Sequence, residues 1–154
     1  MIDEKLPGRC CVALLLLCSA ALLAGCRWFA PSPAVGPEEV VSQFYRWYVG
    51  YPGNPLVDRA YRTSPHLAPK FIDEVDETLS SMRAGGGDPI LLAQDVPSDF
   101  SIEGVEVSDD RATARLHLYW GESGQPAKRD VELVIIDGAW RITMVSVVGG
   151  IAVV

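Results

Sequence analysis

Two segments in the first half of the chain repeat apolar residues at the spacing of an α-helix. The first begins with Pro37, Glu38 and Glu39, which suit a helix start because proline fits the first turn and carboxylates face the positive end of the helix dipole. Gly50 is typical of a helix end. The apolar positions between them are Val40, Val41, Phe44, Tyr45 and Tyr48. The segment is therefore predicted to be an amphipathic helix with an aromatic face.

The second helical segment begins near Pro69, after Ser64-Pro65, and ends at the glycine run 85–87. Its apolar stripe consists of Phe71, Ile72, Val75, Leu79 and Met82, and its acidic positions are Asp73, Glu74, Asp76 and Glu77. We interpret the acidic positions as the solvated helix face, because they lack the loop spacing of a calcium site. A shorter helix is predicted over Leu56–Arg62.

Beyond Gly87 the spacing of apolar residues changes to two, which is typical of strands. Five strands are predicted, Ile90–Gln94, Phe100–Val107, Arg111–Trp120, Lys128–Ile136 and Trp140–Val148. Asp137-Gly138 is a strong signal for a two-residue hairpin. Helices followed by such a meander predict an α+β domain, with the N-terminal helices packed on one face of a curved antiparallel sheet.

Polar side chains alternate with apolar ones along two of the predicted strands. If the loop 121–126 joins these strands evenly, His117 lies opposite Asp130 and Arg115 lies opposite Glu132. A carboxylate beside an imidazole can orient it as a general base. We favour the simpler interpretation, a cross-strand contact on a solvated sheet face.

The N-terminal segment has the parts of an export signal. Lys5 and Arg9 precede the apolar run Val12–Leu23, which is shorter than a membrane span of about 20 residues. The stretch Leu23-Ala24-Gly25-Cys26 resembles the lipobox of bacterial lipoproteins, and this resemblance implies lipid on Cys26 and cleavage before it. We predict a signal peptide over residues 1–25; the alternative is an uncleaved anchor helix.

The predicted processing divides the chain into functional parts. The lipidated Cys26 and a proline-containing tether occupy residues 26–36, the α+β domain residues 37–149, and a C-terminal tail residues 150–154. Lipid on Cys26 would hold the domain on the extracytoplasmic face of a membrane in the cell envelope. Arg27 stands where some Gram-negative bacteria place an acidic residue for inner-membrane retention, which favours the outer membrane if the cell has one.

Charge and cysteine content narrow the chemistry of the domain. The net charge of −7 argues against nucleic-acid binding, which needs clustered basic residues. All four cysteines lie at or before Cys26, so the domain lacks a disulfide, a thiolate metal site and a cysteine nucleophile. His66 and His117 do not form a zinc motif, and no metal or cofactor is expected.

Three stretches resemble a family of bacterial exported proteins and lipoproteins known as a domain of unknown function (DUF3828). They are FYRWY at 44–48, DPILLAQD at 88–95 and DGAWRI at 137–142. The family is similar to the nuclear-transport-factor-2-like and ketosteroid-isomerase-like (cystatin-like) superfamily, which implies a cone made of a curved sheet wrapped around helices. Because that superfamily contains isomerases, dehydratases and domains without catalysis, the fold does not settle the function.

A ketosteroid-isomerase-like site would place a carboxylate in an apolar pocket and a tyrosine hydroxyl near the developing oxyanion. Asp95, near the predicted mouth of the cone, is the candidate carboxylate. Tyr45, Tyr48 and Tyr61 are the candidate donors. The alternative is that Asp95 caps a turn and the tyrosines pack in the core.

The sequence does not contain a complete catalytic set, and this motivates the functional prediction. We expect a membrane-anchored envelope lipoprotein whose domain binds a small apolar ligand or an envelope protein without catalysis. One alternative is an isomerase or dehydratase that uses Asp95 and a tyrosine, with His117 and Asp130 as weaker candidates. The other is a structural protein of the envelope.

Overall fold

The computed structural model describes residues 33–82, 86–121 and 124–149. The predicted signal peptide, Cys26, most of the tether and the predicted C-terminal tail lie outside the described residues. The elements are helix α1 (Pro37–Val49), a short 3-10 helix (Ala60–Thr63), helix α2 (Pro69–Ser81) and strands β1 (Asp99–Ser108), β2 (Arg111–Tyr119), β3 (Ala127–Ile136) and β4 (Ala139–Val147). The first predicted helix and the four long strands are present within one residue of their expected bounds. The second predicted helix ends earlier than expected, at Ser81 and not at the glycine run 85–87, because the backbone of Met82 is extended (φ −67°, ψ 136°).

The four strands form one antiparallel sheet in the order β1-β2-β3-β4. Irregular pairing between Ile102 and Gly104 and between Glu132 and Leu133 interrupts the ladders, and such bulges bend and twist strands. Helix α1 packs against β1, β2 and β4, while α2 packs against β4. The predicted α+β class, with helices on one face of a curved sheet, is confirmed.

The aromatic face of α1 forms the centre of the core. Phe44, Tyr45 and Tyr48 have no exposed surface, and the ring centroid of Phe44 lies 5.2 Å from that of Tyr45 and 5.4 Å from that of Tyr48. The opposing sheet face contributes buried side chains from alternate strand positions, which are Ala112, Ala114, Leu116, Leu118, Val131, Leu133, Trp140, Ile142 and Val145. The helical and strand periodicities therefore place the apolar side chains of each element on one face, and the helix and sheet are packed together through these faces.

Two of the predicted elements are wrong. Residues 90–94 do not form a strand but a series of turns, with a single bridge between Asp88 and Ala93. The reason is that the carboxylate of Asp88 accepts the backbone N–H groups of Ile90 and Leu91, which bends the chain before it can extend. The predicted helix Leu56–Arg62 is replaced by turns that lead into the 3-10 helix Ala60–Thr63.

The predicted pairing of β2 with β3 is also wrong, by two positions. Arg115 lies opposite Asp130, and His117 lies opposite Lys128. The two strands separate after the pair Leu118 and Ala127, so the connection between them is not centred on residues 121–126 as the prediction assumed. Because a shift of two preserves the pleat, every side chain keeps its predicted face.

Candidate functional site

The residues from Asp88 to Ala93, called here the Asp88 turn, close one end of the sheet and are held by polar groups of the core. The Oδ2 atom of Asp88 accepts the hydroxyl of Tyr48 at 2.8 Å. Its Oδ1 atom accepts the N–H groups of Ile90 at 2.7 Å and Leu91 at 3.0 Å. The Asp88 N–H donates to the carbonyl of Ala93 at 2.7 Å, which joins the two ends of the turn.

Arg129 of β3 holds the middle of the Asp88 turn. Its Nε donates to the Leu91 carbonyl at 3.0 Å and its Nη2 to the Leu92 carbonyl at 2.7 Å, while Nη1 donates to the Lys128 carbonyl at 2.9 Å. Arg129 is 8% exposed and is the one charged residue that the described part of the chain buries. A planar fork of donors suits this task, because two successive carbonyls can be bound at once.

Burial changes the acidity of these groups. Desolvation raises the pKa of Asp88 above its ordinary value, although the hydrogen bonds from Leu91, Tyr48 and Ile90 oppose the shift. Burial, followed by the nearby Asp88 charge, raises the pKa of Tyr45 and of Tyr48. Both tyrosines therefore stay protonated and act as hydrogen-bond donors, Tyr45 to the Ile90 carbonyl at 3.3 Å.

The backbone of the Asp88 turn is strained at its most exposed point. Leu92 has a φ of 51°, in the left-handed region that a residue with a Cβ rarely adopts. Such a conformation costs on the order of 1 kcal/mol and persists only where neighbouring contacts maintain it. Here the bond from Arg129 to the Leu92 carbonyl and the bridge at Ala93 maintain it.

The structure does not bring the predicted isomerase residues together. Asp95 is exposed at the surface, and its backbone carbonyl accepts the indole N–H of Trp120 at 3.1 Å. Tyr45 is buried and its hydroxyl donates to Ile90, while the hydroxyl of Tyr61 donates to Asp76. Tyr48 and Tyr61 thus each contact a carboxylate, but these carboxylates belong to Asp88 and Asp76 and not to Asp95.

Asp88 is a functional candidate that the sequence reasoning missed. The available signal was Asp88-Pro89 directly before an apolar run, a combination typical of a side-chain-stabilised turn. We read the apolar run as a strand because period and composition alone do not distinguish a strand from a buried turn. Arg129 was also missed, since it stands at an apolar position of β3 in the midst of polar residues.

The predicted pair of His117 with Asp130 is wrong. The Nε2 atom of His117 lies 3.1 Å from Oε2 of Glu103, and Lys128 Nζ lies 3.8 Å from the same oxygen. Asp130 instead pairs with Arg115, with Nε and Oδ1 at 3.0 Å. These polar contacts lie on the open sheet face, which agrees with the interpretation as cross-strand contacts.

Residues of α1 help to line two open depressions on the described part of the surface. One, of about 640 Å³, lies between the start of α1 and the first residues of β1. The other, of about 240 Å³, is lined by residues that include Val35, His66, Trp140 and Arg141. Burial and then the charge of Arg141 lower the pKa of His66, so its imidazole is neutral at pH 7.

Two further findings concern the described residues alone. Within the ranges 33–82, 86–121 and 124–149, no group of three or more His, Cys, Asp or Glu side chains is arranged to hold a metal ion. Neither of the α-helices in these ranges is long and apolar enough to cross a membrane.

Comparison with known proteins adds relatives at the level of fold. No protein-family model matches the chain, and no curated protein matches it. Among solved structures, the chain resembles a chain of the type VI effector–immunity complex Tae3–Tai3 from Ralstonia pickettii. In the selenomethionine crystal the TM-score is 0.56 at 19% identity, over 73% of this chain and 96% of the other. In the native crystal the TM-score is 0.57 at 18% identity, over 73% and 94%.

A second similar structure comes from Bacteroides thetaiotaomicron. It is a protein of unknown function, with a TM-score of 0.50 and 18% identity over 88% of this chain and 98% of the other. At these identities the likeness shows a shared fold among bacterial proteins and carries no residue-level correspondence.

Proposed function

We propose that this chain is an envelope-tethered domain whose function is to bind another protein. The observation that carries the proposal is that the domain's own side chains occupy the space between helix and sheet. Aromatic side chains of α1 fill the space between helix and sheet, and the Asp88 turn closes one end of that space. Six side-chain hydrogen bonds hold the turn, three to Asp88, two from Arg129 and one from Tyr45. Recognition would then occur on the outer surface.

The fold relatives support this choice of ligand class. The Ralstonia structures are of a protein complex between an effector and its immunity protein. We propose that the present chain likewise acts through a stable protein complex, with an exported protein as its partner. The isomerase or dehydratase alternative requires a tyrosine and Asp95 on a common cavity, and the positions of Tyr45 and Asp95 do not favour it.

The proposal also includes the superfamily to which this fold is related. We propose that the helices and four-stranded sheet are a compact variant of the nuclear-transport-factor-2-like cone, in a relative of the DUF3828 family. The order of helices before an antiparallel meander supports this.

The tether is proposed from the sequence, because Cys26 lies outside the described residues. We propose that Cys26 carries lipid and holds the domain at the extracytoplasmic face of a membrane. Metabolic labelling of cells with a fatty-acid probe should mark the wild-type protein and leave Cys26→Ser unlabelled. Cys18→Ser, in the predicted signal peptide, is the matched control and should keep the label. Label on the Cys26→Ser protein would overturn the anchor.

Protein binding is tested by reconstitution. The full chain, purified with detergent from the membranes of cells that make it, should elute as a complex of defined stoichiometry in size-exclusion chromatography with light scattering. The companion protein, once identified and produced separately, should bind the purified chain in calorimetry. A chain that elutes alone, or a companion that fails to bind when both are pure, would refute the proposed function.

A further inference from the structure

Several large apolar side chains are exposed at one end of the sheet. Leu92, Val96, Trp120 and Val147 are between 36% and 49% exposed. We call these four residues the strand-end surface. The other exposed large apolar residues of the described chain are Val35, Trp47, Val57 and Val107. A concentration of this kind marks an interaction site more often than isolated apolar residues do.

The pairing of the strands places the four residues at the same end of the sheet. Trp120 follows the last residue of β2, which pairs with the first residue of β1, and its indole contacts the carbonyl of Asp95 beside Val96. Val147 ends β4 opposite Arg129, whose guanidinium binds the Leu92 carbonyl. The surface thus extends across the ends of β2, β3 and β4 and over the Asp88 turn.

The Asp88 turn presents Leu92 in a fixed position. A strained leucine is maintained at the surface by a buried arginine, a half-buried aspartate and two buried tyrosines. This arrangement costs stability, since burying charge and adopting a positive φ are both unfavourable. It reduces the entropy lost when Leu92 enters a partner's pocket, because the turn is already ordered.

Exposed carboxylates flank Val96 in the strand-end surface, while the exposed Lys128 at the start of β3 is paired with Glu103. Asp95 and Asp99 are exposed on either side of Val96, and the whole chain carries a net charge of −7. A partner with lysine and arginine side chains around an apolar pocket would be attracted to this arrangement. A second copy of the same chain would bring the same aspartates together, and like charges disfavour such pairing.

We infer that the strand-end surface is the docking site of the domain, and that its partner is a protein with an apolar pocket for Leu92 and Trp120 and a basic rim facing Asp95 and Asp99. This inference deepens the proposed function and rests on it. It adds which surface binds and what chemistry the partner presents.

Site-specific photo-crosslinking locates the docking site. A photoreactive amino acid is placed at Val96 of the full chain in cells, and in separate variants at Val57 and Val107 as matched exposed controls. We expect a protein adduct of one defined mass at Val96 and none at the controls. Adducts at Val57 or Val107 but not at Val96 would overturn the docking site while leaving protein binding intact.

Other adducts would also refute the inference. An adduct of twice the chain's mass would identify a second copy as the occupant, and an adduct to lipid would identify the membrane. No protein adduct at any of these positions, together with a chain that elutes alone, would refute the proposed function and the inference with it.

The substitution Leu92→Asn separates binding from stability. Asparagine tolerates a positive φ, so the variant should need at least as much denaturant to unfold as the wild type. With the reconstituted partner, we expect Leu92→Asn to raise the Kd at least tenfold, and Val57→Asn to leave it unchanged. A raised Kd in a variant that keeps its stability would not be expected if Leu92 had only a structural role. An unchanged Kd for Leu92→Asn would overturn the docking site.

The acidic rim is tested by Asp95→Lys in the same complex. We expect a slower association rate, with a difference from wild type that shrinks as salt is added. Faster association of Asp95→Lys would mean that the partner's rim is acidic, and would overturn that part of the inference.

Discussion

Asp88 shows how one side chain can organise a segment without regular secondary structure. Its two carboxylate oxygens accept one hydroxyl and two backbone N–H groups, and these three bonds replace the ladder that a strand would have used. Desolvation still raises its pKa, so the charged form is less favourable here than in the unfolded chain. The residue therefore contributes a pH dependence opposite to that of most paired carboxylates.

We predict that Asp88→Asn weakens the fall in stability with rising pH. Because the pKa of Asp88 is raised in the folded state, the folded chain binds more protons than the unfolded chain. The contribution of Asp88 to the free energy of unfolding therefore decreases as pH rises from the ordinary aspartate range through the folded-state pKa. Asparagine does not ionise but keeps an acceptor for the Ile90 and Leu91 N–H groups. Urea unfolding from pH 4 to 8 should show that the free energy of unfolding of Asp88→Asn increases relative to that of the wild type as pH rises. A constant difference would contradict this.

Removal of the side chain has a larger effect. Asp88→Ala leaves the Tyr48 hydroxyl and two backbone N–H groups without their acceptor, and should cost about 3 kcal/mol of unfolding free energy near pH 4, with a smaller loss at higher pH. Denaturant unfolding measures the loss. If Asp88→Ala is as stable as Asp88→Asn, the turn does not depend on these bonds.

Arg129 and Arg115 make a matched pair on neighbouring strands. Arg129→Lys should destabilise by about 2 kcal/mol, because an ammonium group cannot bind the Leu91 and Leu92 carbonyls in the same fork. Arg115→Lys, on the open face beside Asp130, should cost clearly less than Arg129→Lys, because an exposed ion pair contributes little to stability. Hydrogen exchange should quicken in the Asp88 turn for the first variant alone. Equal losses would show that burial of Arg129 has no energetic role.

At the level of elements, α1 connects the sheet to the Asp88 turn. Phe44 packs in the centre of the aromatic face, while Tyr45 and Tyr48 pass through the core to bind Ile90 and Asp88 with their hydroxyls. The helix thus provides both apolar burial and the polar contacts of the turn. A change in the aromatic face of α1 should therefore also weaken the Asp88 turn.

We predict that Phe44→Ala costs about 4 kcal/mol, because the large cavity it leaves cannot collapse between fixed rings. Trp47→Ala on the same helix, where the side chain is 37% exposed, should cost about 1 kcal/mol. Thermal or denaturant unfolding compares the two. Equal losses would mean that the aromatic face is not the centre of the core.

The 3-10 helix is joined to α2 by a second carboxylate. Asp76 accepts hydrogen bonds from the Tyr61 hydroxyl and from Arg62, and these bonds lower the pKa of Asp76. The pKa of Asp76 is thus shifted in the opposite direction to that of Asp88. The stabilisation is present above the ordinary aspartate pKa and is lost as pH falls through the lowered, folded-state value.

Asp76→Asn should therefore destabilise the domain at pH 7 and lose this effect at low pH. Urea unfolding at pH 7 and pH 3 provides the comparison, with Asp73→Asn on the same helix as control. Asp76→Asn should approach the wild type in stability at the lower pH. A difference that grows toward low pH would contradict the assigned sign.

At the scale of the whole molecule, the sequence determined the class of fold through local periodicity. Helix α1 and helix α2 repeat their apolar residues every three to four positions, and the four strands repeat theirs every two. Each pattern buries one face of its element, and α+β packing is the common way to join such faces. The predicted faces survived even where the register of β2 and β3 was shifted.

Only the tertiary structure decided the site. The bond from Tyr48 to Asp88 joins residues 40 positions apart, and the bond from Arg129 to Leu91 joins residues 38 positions apart. Such contacts have no local pattern, because the identity of a polar partner depends on which elements fold together. A short apolar run such as 90–92 is equally suited to a strand and to a buried turn, and the carboxylate and guanidinium that selected the turn were brought to it by the sheet.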